Sequence, residues 1–145
     1  MPKTIALVSC VKSKADQPKP AQELYTSTMF KGSSAYAQEV ADLWFILSAK
    51  YGLVQPNRVI APYEKTLNKM PVGERRIWAR DVFKNLQMYV NPGDLVIFLA
   101  GQRYREYLIP RLEKMGCRIS IPMEGLSFGQ QLSWLKDPNQ GANQQ

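Results

Sequence analysis

The 145-residue sequence contains no histidine. This absence excludes Ser-His-Asp and Cys-His catalysis, and it excludes zinc sites built on histidine. Any acid–base chemistry must therefore fall to Lys, Tyr, Glu, Asp or Cys side chains. Because no cluster of cysteines and carboxylates replaces the missing histidines, we predict neither a metal site nor a cofactor.

Cysteine is also scarce, with only Cys10 and Cys117 in the chain. Two cysteines are too few for a disulfide framework, and no C-x-x-C pair is present. Cys10 follows an apolar run, which makes it a candidate nucleophile, although a half-buried thiol at a strand end is the simpler interpretation.

Long apolar runs are missing as well. The longest, LVIFLA at 95–100, is far shorter than the roughly 18 residues that suggest a membrane-spanning helix. The N-terminus MPKTIALVSC lacks the features of a signal peptide, so we predict a cytoplasmic protein. Its net charge of +7 favours an anionic partner such as a nucleotide, nucleobase or nucleic acid, or serves only solubility.

Apolar runs alternate with amphipathic stretches along the chain. The runs 4–10, 44–49, 94–100 and 117–122 lack two-residue alternation, which is typical of strands that are buried on both faces. We therefore predict one three-layer α/β domain over residues 1–135, with a mostly parallel sheet of about four strands. The polar segment 136–145 is predicted to be a C-terminal tail.

Helices are predicted between the strands. A helix over about 34–44, capped by Ser33 or Ser34, would bury Tyr36, Ala37, Val40, Ala41 and Trp44. The segment 73–89 has the clearest helical periodicity, and Pro110 is expected to kink or split a helix over 103–115. A short helix is expected around 20–26 and another around 128–135, whereas 50–71 is predicted to be mostly loop.

The segments after the four strands, SCVKSK, SAKYGL, AGQRYRE and PMEGLSFGQQ, are polar, basic or glycine-bearing. In a parallel sheet they share one edge, where ligands of such folds bind. Lysines there can hold a phosphate or activate a nucleophile, and a glycine turn into a helix can bind an anion. The candidate catalytic residues are Cys10, Lys12, Ser48 and Lys50; the candidate ligand-binding residues are Ser9, Lys14, Tyr25, Tyr63, Gly101, Arg103, Tyr104, Arg105, Glu124, Gly125 and Gln130.

Each candidate also has a simpler explanation. Lys12 and Lys14 could be solvated surface lysines, and Ser48 with Lys50 could form only a strand-ending turn. Gly101 could serve close packing, and Glu124 could be an exposed loop carboxylate. If the site is real, we expect Lys50, Ser48 and one of the two early lysines to line a pocket at the carboxyl edge.

The motifs resemble those of a family of small bacterial and phage proteins of uncharacterised function. They are SC-x-K-x-K, AxxLYxSxxF, LSAKYGL, LAGxxYRE and P-x-EGLxxGxQLxWL, spread over about residues 4–135. More distantly, LSAKYGL followed by Pro62-Tyr63 resembles a segment of the YaaA peroxide-stress family, and SCxKxK…LYxS resembles a region of archaeosine synthase. These resemblances imply nucleobase or nucleic-acid chemistry on a fold like that of uracil-DNA glycosylase.

Three hypotheses follow for the function. The first is an enzyme that acts on a nucleotide, nucleobase or nucleic acid at the carboxyl edge of the sheet. The second is a nucleic-acid-binding protein without catalysis, whose Tyr and Arg side chains stack on bases. The third is a phage or stress accessory protein that binds a protein partner.

Overall fold

The computed structural model describes residues 1–9 and 14–137 of the chain. Its strands are β1 (Thr4–Ser9), β2 (Lys19–Pro20), β3 (Leu43–Ser48), β4 (Gly52–Val54), β5 (Val59–Ile60), β6 (Leu95–Leu99) and β7 (Arg118–Ser120). Its α-helices are α1 (Ala21–Leu24), α2 (Thr28–Val40), α3 (Val72–Leu86), α4 (Gln102–Arg105), α5 (Ile109–Met115) and α6 (Phe128–Lys136), with a 3-10 turn at Leu67–Lys69.

Five strands form the main sheet in the order β4-β3-β1-β6-β7. The central strand β1 is parallel to both neighbours, with Ser9 opposite Leu47 of β3 and Val8 opposite Leu99 of β6. Strand β7 is parallel to β6, and only the edge strand β4 is antiparallel. The predicted mostly parallel α/β sheet is therefore confirmed.

Helices cover both faces of this sheet. The four central residues of β1, 5–8, are completely buried, as expected for a strand packed on two sides. The chain moves from β1 to β3 in one direction across the sheet and from β3 to β6 in the other. By the right-handed crossover rule, these opposite directions place α2 on one face and α3 on the other. Helix α6 packs beside α2, where the rings of Tyr36 and Trp134 meet edge to face at 4.8 Å.

Helix α2 differs from its prediction at both ends. It begins at Thr28 rather than near residue 34, because the Ser27 hydroxyl accepts a hydrogen bond from the Phe30 N–H and caps the first turn. Ser33 and Ser34 lie buried inside the helix, so the predicted serine caps are wrong. The helix ends at Val40, which is exposed rather than buried, and Trp44 belongs to β3.

The segment predicted as mostly loop contains two short strands. Gly52 adopts a φ of +73° and turns the chain back, so that residues 52–54 pair antiparallel with β3. Residues 59–60 pair with 19–20 in a separate two-stranded ribbon. Strands of two or three residues carry too few side chains for a recognisable period, which explains why the sequence pattern missed them.

The remaining helices agree with the pattern. In α3 the predicted face holds Trp78, Val82 and Leu86, all buried. Pro110 lies in the first turn of α5 and separates it from α4, so the predicted split is confirmed. Among residues 1–9 and 14–137, no helix has both the length and the apolar character needed to cross a membrane.

Candidate functional site

The chain leaves two adjacent parallel strands in opposite directions at the carboxyl edge of the sheet. After β1 it proceeds to α2 on one face, and after β6 it proceeds to α4 and α5. A crevice opens at such a switch point, and ligands of open α/β sheets bind there. The Gly101 N–H donates to Oγ of Ser9 over 3.4 Å, a long hydrogen bond that joins the two strand ends.

A cavity of about 350 Å³ lies over this switch point. Its volume falls within the range of roughly 300–1,000 Å³ that is typical of small-ligand sites. The lining comes from the ends of β1 and β6, from α4, from the segment that follows β7, and from the first turns of α2 and α6. It consists of Ser9, Met29, Ser33, Phe98, Leu99, Ala100, Gly101, Gln102, Arg105, Ile121, Met123, Glu124, Gly125, Leu126, Phe128 and Gln131.

Arg105 and Glu124 are the charged side chains in this lining. The Arg105 guanidinium donates to the Ala100 carbonyl over 2.8 Å and lies 3.9 Å from a carboxylate oxygen of Glu124. The arginine side chain is 17% exposed, whereas that of Glu124 is 65% exposed. A guanidinium has five N–H donors, so this anchoring leaves Arg105 with donors for a ligand.

The loop from β7 to α6 carries Glu124 and Gly125 into the lining. Gly125 has a φ of +81°, a conformation that favours glycine and turns the chain toward α6. Gln130, a predicted ligand-binding residue, closes a capping box instead: its amide oxygen accepts from the Ser127 N–H, and the Ser127 hydroxyl accepts from the Gln130 N–H. The neighbouring Gln131 lines the cavity.

A second group of side chains forms what we call the tyrosine–cation face: the predicted candidates Lys14, Tyr25, Lys50 and Tyr63, together with Tyr51 and Arg58, which were not among those candidates. The hydroxyls of Tyr25 and Tyr63 share a hydrogen bond of 2.6 Å, and the rings of Tyr51 and Tyr63 meet edge to face at 5.6 Å. The Lys14 ammonium lies 4.6 Å from the Tyr63 ring centroid. The Lys50 ammonium and the Arg58 guanidinium lie 5.4 Å and 5.5 Å from that of Tyr51.

Ser48 and Lys50 are placed differently from each other. The Ser48 hydroxyl is buried and accepts hydrogen bonds from the N–H groups of Lys50 and Tyr51, which shapes the turn into β4. Its carbonyl accepts from the Trp78 indole N–H. Lys50 is exposed. Neither residue lines the 350 Å³ cavity, and neither does Lys14.

The other candidates either make contacts away from the cavity or lie outside the residues that the structure describes. Tyr104 is buried, with its ring edge to face on Trp78 and its hydroxyl 3.5 Å from the Leu67 N–H. Arg103 is half exposed and lies 3.6 Å from Glu106, outside the cavity lining. The predictions for Cys10 and Lys12 fall outside the described residues. Within the described ranges, no three His, Cys, Asp or Glu side chains cluster as metal ligands would.

Several lining residues were not predicted from the sequence. Met29 and Ser33 belong to the first two turns of α2. The sequence pattern predicted that this helix begins near residue 34, which left both residues outside the helix. Phe128 was assigned to the last helix but not to a site, although its 65% exposure marks it as unusual for a phenylalanine. Placing the start of α2 at Ser27 would have brought its first turn to the same edge as the strand ends.

Comparison with known proteins identifies the family. Residues 5–137 match the family described as "Family of unknown function (DUF6884)". The chain belongs to this family. This DUF6884 protein is also similar to "Uncharacterized protein YfjM" of Bacillus subtilis (strain 168). The two are 26% identical over 115 residues, which cover 73% of this chain and 75% of the relative. Membership of a family of uncharacterised function, which was predicted from the sequence, is thus confirmed.

Proposed function

We propose that this DUF6884 protein is an enzyme that binds a nucleobase or nucleotide in the carboxyl-edge cavity and acts on it there. The observation that carries the proposal is the pairing of Arg105 and Glu124 in the wall of a cavity that also presents the exposed ring of Phe128. A planar base needs these three elements: hydrogen-bond donors, an acceptor and an aromatic surface.

The charged pair suits a heterocycle or a phosphate. Arg105 N–H groups can donate to a base carbonyl, a ring nitrogen or a phosphate oxygen. The Glu124 carboxylate can accept from an exocyclic amine or a ring N–H. In a chain without histidine, Glu124 is also the residue of this lining that is suited to general acid–base catalysis.

The apolar part of the lining supports the same class of ligand. Met29, Ile121, Met123 and Leu126 surround the charged pair with apolar surface. Such surface favours the faces of a flat ring, whereas a sugar or inorganic phosphate would gain little from it. The net charge of +7 and the motif resemblance to the YaaA and archaeosine synthase families add support to a nucleobase-containing substrate.

The test measures binding of the four ribonucleoside monophosphates, their deoxy counterparts and the free bases by isothermal titration calorimetry. We expect at least one to bind the parent, and we expect Arg105→Gln to weaken it by about 10-fold or more, since hydrogen bonds to charged groups contribute roughly 1.5–3 kcal/mol. Arg103→Gln is the matched control, because Arg103 lies two residues away but does not line the cavity. Equal affinity of parent and Arg105→Gln for every ligand that binds would contradict the proposal.

Catalysis is tested separately from binding. The bound nucleotide is incubated with protein and its products are separated by liquid chromatography and mass spectrometry. We expect Glu124→Gln to bind the nucleotide but to form product at least about 100-fold more slowly, the lower bound of a general acid–base contribution. Binding without any product in the parent would instead support a binding protein that is not an enzyme.

A further inference from the structure

The tyrosine–cation face holds positive charge that carboxylates do not neutralise. In the described residues, Lys14, Lys50 and Arg58 form no ion pair and instead lie over tyrosine rings. A ring orients a cation through its negative face but leaves the net charge in place. These three side chains therefore keep their positive charge at this face.

Together, the two sequence segments that build the face carry more basic than acidic residues. Residues 50–63 contain Lys50 and Arg58 but no Asp or Glu. Residues 14–25 add Lys14 and Lys19 against Asp16 and Glu23. The two segments are held together by backbone hydrogen bonds, among them Ala21 N–H to the Arg58 carbonyl at 2.7 Å. The positive charge is thus fixed to an ordered part of the fold.

The face and the cavity are neighbours on the same edge of the sheet. Ser9 lines the cavity at the end of β1, and it is opposite Leu47 of β3, the residue before Ser48 and the turn to Lys50. Adjacent strands lie about 4.8 Å apart. A ligand whose base occupies the cavity can therefore extend across the end of β3 to the three cations.

We propose that the substrate of the cavity is one nucleotide of a single-stranded nucleic acid, whose flanking phosphates contact the tyrosine–cation face. The inference rests on the proposed function and names its substrate class. A free mononucleotide would leave the cations of the face unused, whereas a strand supplies one phosphate for each residue. A cavity of about 350 Å³ at the strand ends admits a base only after the base has left the duplex stack, which favours single strands.

The experiment measures fluorescence anisotropy of a labelled mixed-sequence 12-mer, as DNA and as RNA, at several salt concentrations. The test variant is Lys50→Gln/Arg58→Gln, which removes both cations over Tyr51. The charge-matched control is Lys84→Gln/Lys114→Gln, whose exposed side chains lie near the C-terminal ends of α3 and α5, toward the opposite edge. Circular dichroism and thermal melting confirm that both variants fold.

We expect the test variant to bind the 12-mer at least 10-fold more weakly at 50 mM salt, and the control to change affinity by less than about twofold. Each lost phosphate contact should reduce the slope of log K against log salt by about 0.7, so the test variant should lose about 1.4. The loss for the 12-mer should also exceed that for a mononucleotide by at least about 10-fold, because a mononucleotide cannot reach from the cavity to both cations.

Three results would overturn the inference. They are an unchanged affinity in the test variant, an equal loss in the control variant, and equally tight binding of a polyglutamate peptide, which would indicate an acidic protein partner. The proposed function fails separately: if Arg105→Gln leaves all binding unchanged while the face variant loses the 12-mer, the cavity is not the site and the face alone binds nucleic acid. Mononucleotide binding without tighter 12-mer binding overturns only the inference.

Discussion

The N–H of Gly101 donates to the hydroxyl of Ser9, and this contact joins the ends of β6 and β1 where the chain departs to opposite faces of the sheet. Both residues line the carboxyl-edge cavity. The cavity therefore arises from the topology of the sheet, and the following loops add its polar side chains.

Phe128 is expected to supply base stacking at the cavity. Because the ring is 65% exposed at the first position of α6, Phe128→Ala should leave the free energy of unfolding nearly unchanged. Loss of stacking should weaken nucleotide binding by about 1–3 kcal/mol in calorimetry, and Phe128→Trp should restore it. Ile77→Ala, at another exposed apolar side chain, is the control. If Phe128→Ala binds the nucleotide as tightly as the parent, the Phe128 ring does not contact the ligand.

An alanine at Gly101 should lower ligand affinity, whereas an alanine at Gly116 should lower the free energy of unfolding. Gly101 has a φ of −65°, and a Cβ there meets nothing within 4 Å, so Gly101→Ala should keep the parent stability while its methyl group reduces ligand affinity. Gly116 has a φ of +101°, and a Cβ there lies 3.2 Å from Pro92, so Gly116→Ala should cost about 1–3 kcal/mol in urea unfolding. A destabilised Gly101→Ala would show that this glycine serves packing.

Asp94 is expected to make stability depend on acid pH. Burial alone would raise the pKa of its carboxyl, but hydrogen bonds from the Lys3 and Asn91 N–H groups and from the Lys3 ammonium outweigh burial and lower that pKa. A lowered pKa gives stability that is present above the unfolded-state value near 4 and is lost as pH falls through the folded-state pKa.

Asp94→Asn should therefore lower the free energy of unfolding by about 1–3 kcal/mol at pH 7, because at least one buried donor loses its acceptor. The difference from the parent should shrink as the pH is lowered below 4 in urea titrations. Asp81→Asn, at an exposed position on α3, should preserve the parent pH dependence. A constant difference between Asp94→Asn and the parent from pH 7 to pH 2 would contradict this role.

Cys117 is expected to be unreactive in the folded protein. Burial and the nearby Asp94 charge raise the pKa of its thiol, which reduces the thiolate that attacks disulfide reagents. In a Cys10→Ser background, Ellman's reagent should label Cys117 slowly in buffer and rapidly in concentrated urea. Rapid labelling in buffer at pH 7 would show that this thiol is accessible.

Much of the fold could be predicted because buried parallel strands leave a strong signal. The continuous apolar runs of β1, β3 and β6 predicted the centre of the sheet, and a parallel sheet brings Ser9, Gly101 and Glu124 to one edge. The start of α2 was missed because the prediction took Ser33 or Ser34 as the cap, whereas Ser27 caps the helix. Gly32 lies inside the helix, and its missing Cβ lets Leu135 of α6 pack closely, since a Cβ there would lie 3.2 Å from that side chain.

The division of the candidates between cavity and face could not be predicted either. All four edge loops carry polar residues, but only three-dimensional packing decides which of them surround the same space. Lys14 and Lys50 are 36 positions apart in the numbering, yet Tyr51 and Tyr63 bring them to one face. The short strands β4 and β5 and the intervening turns position these rings, and their sequence pattern is too brief to read.

Amide chemical-shift mapping by NMR tests most directly whether the carboxyl-edge cavity binds a nucleobase or nucleotide. Uniformly ¹⁵N-labelled protein is titrated with each mononucleotide and base to millimolar concentration. Saturable shifts at Gly101, Gln102, Gly125 and Leu126, with none at Gly93 and Gly116 on the opposite edge, are the predicted result. Shifts concentrated at that opposite edge, or no shifts with any of these ligands, would contradict it.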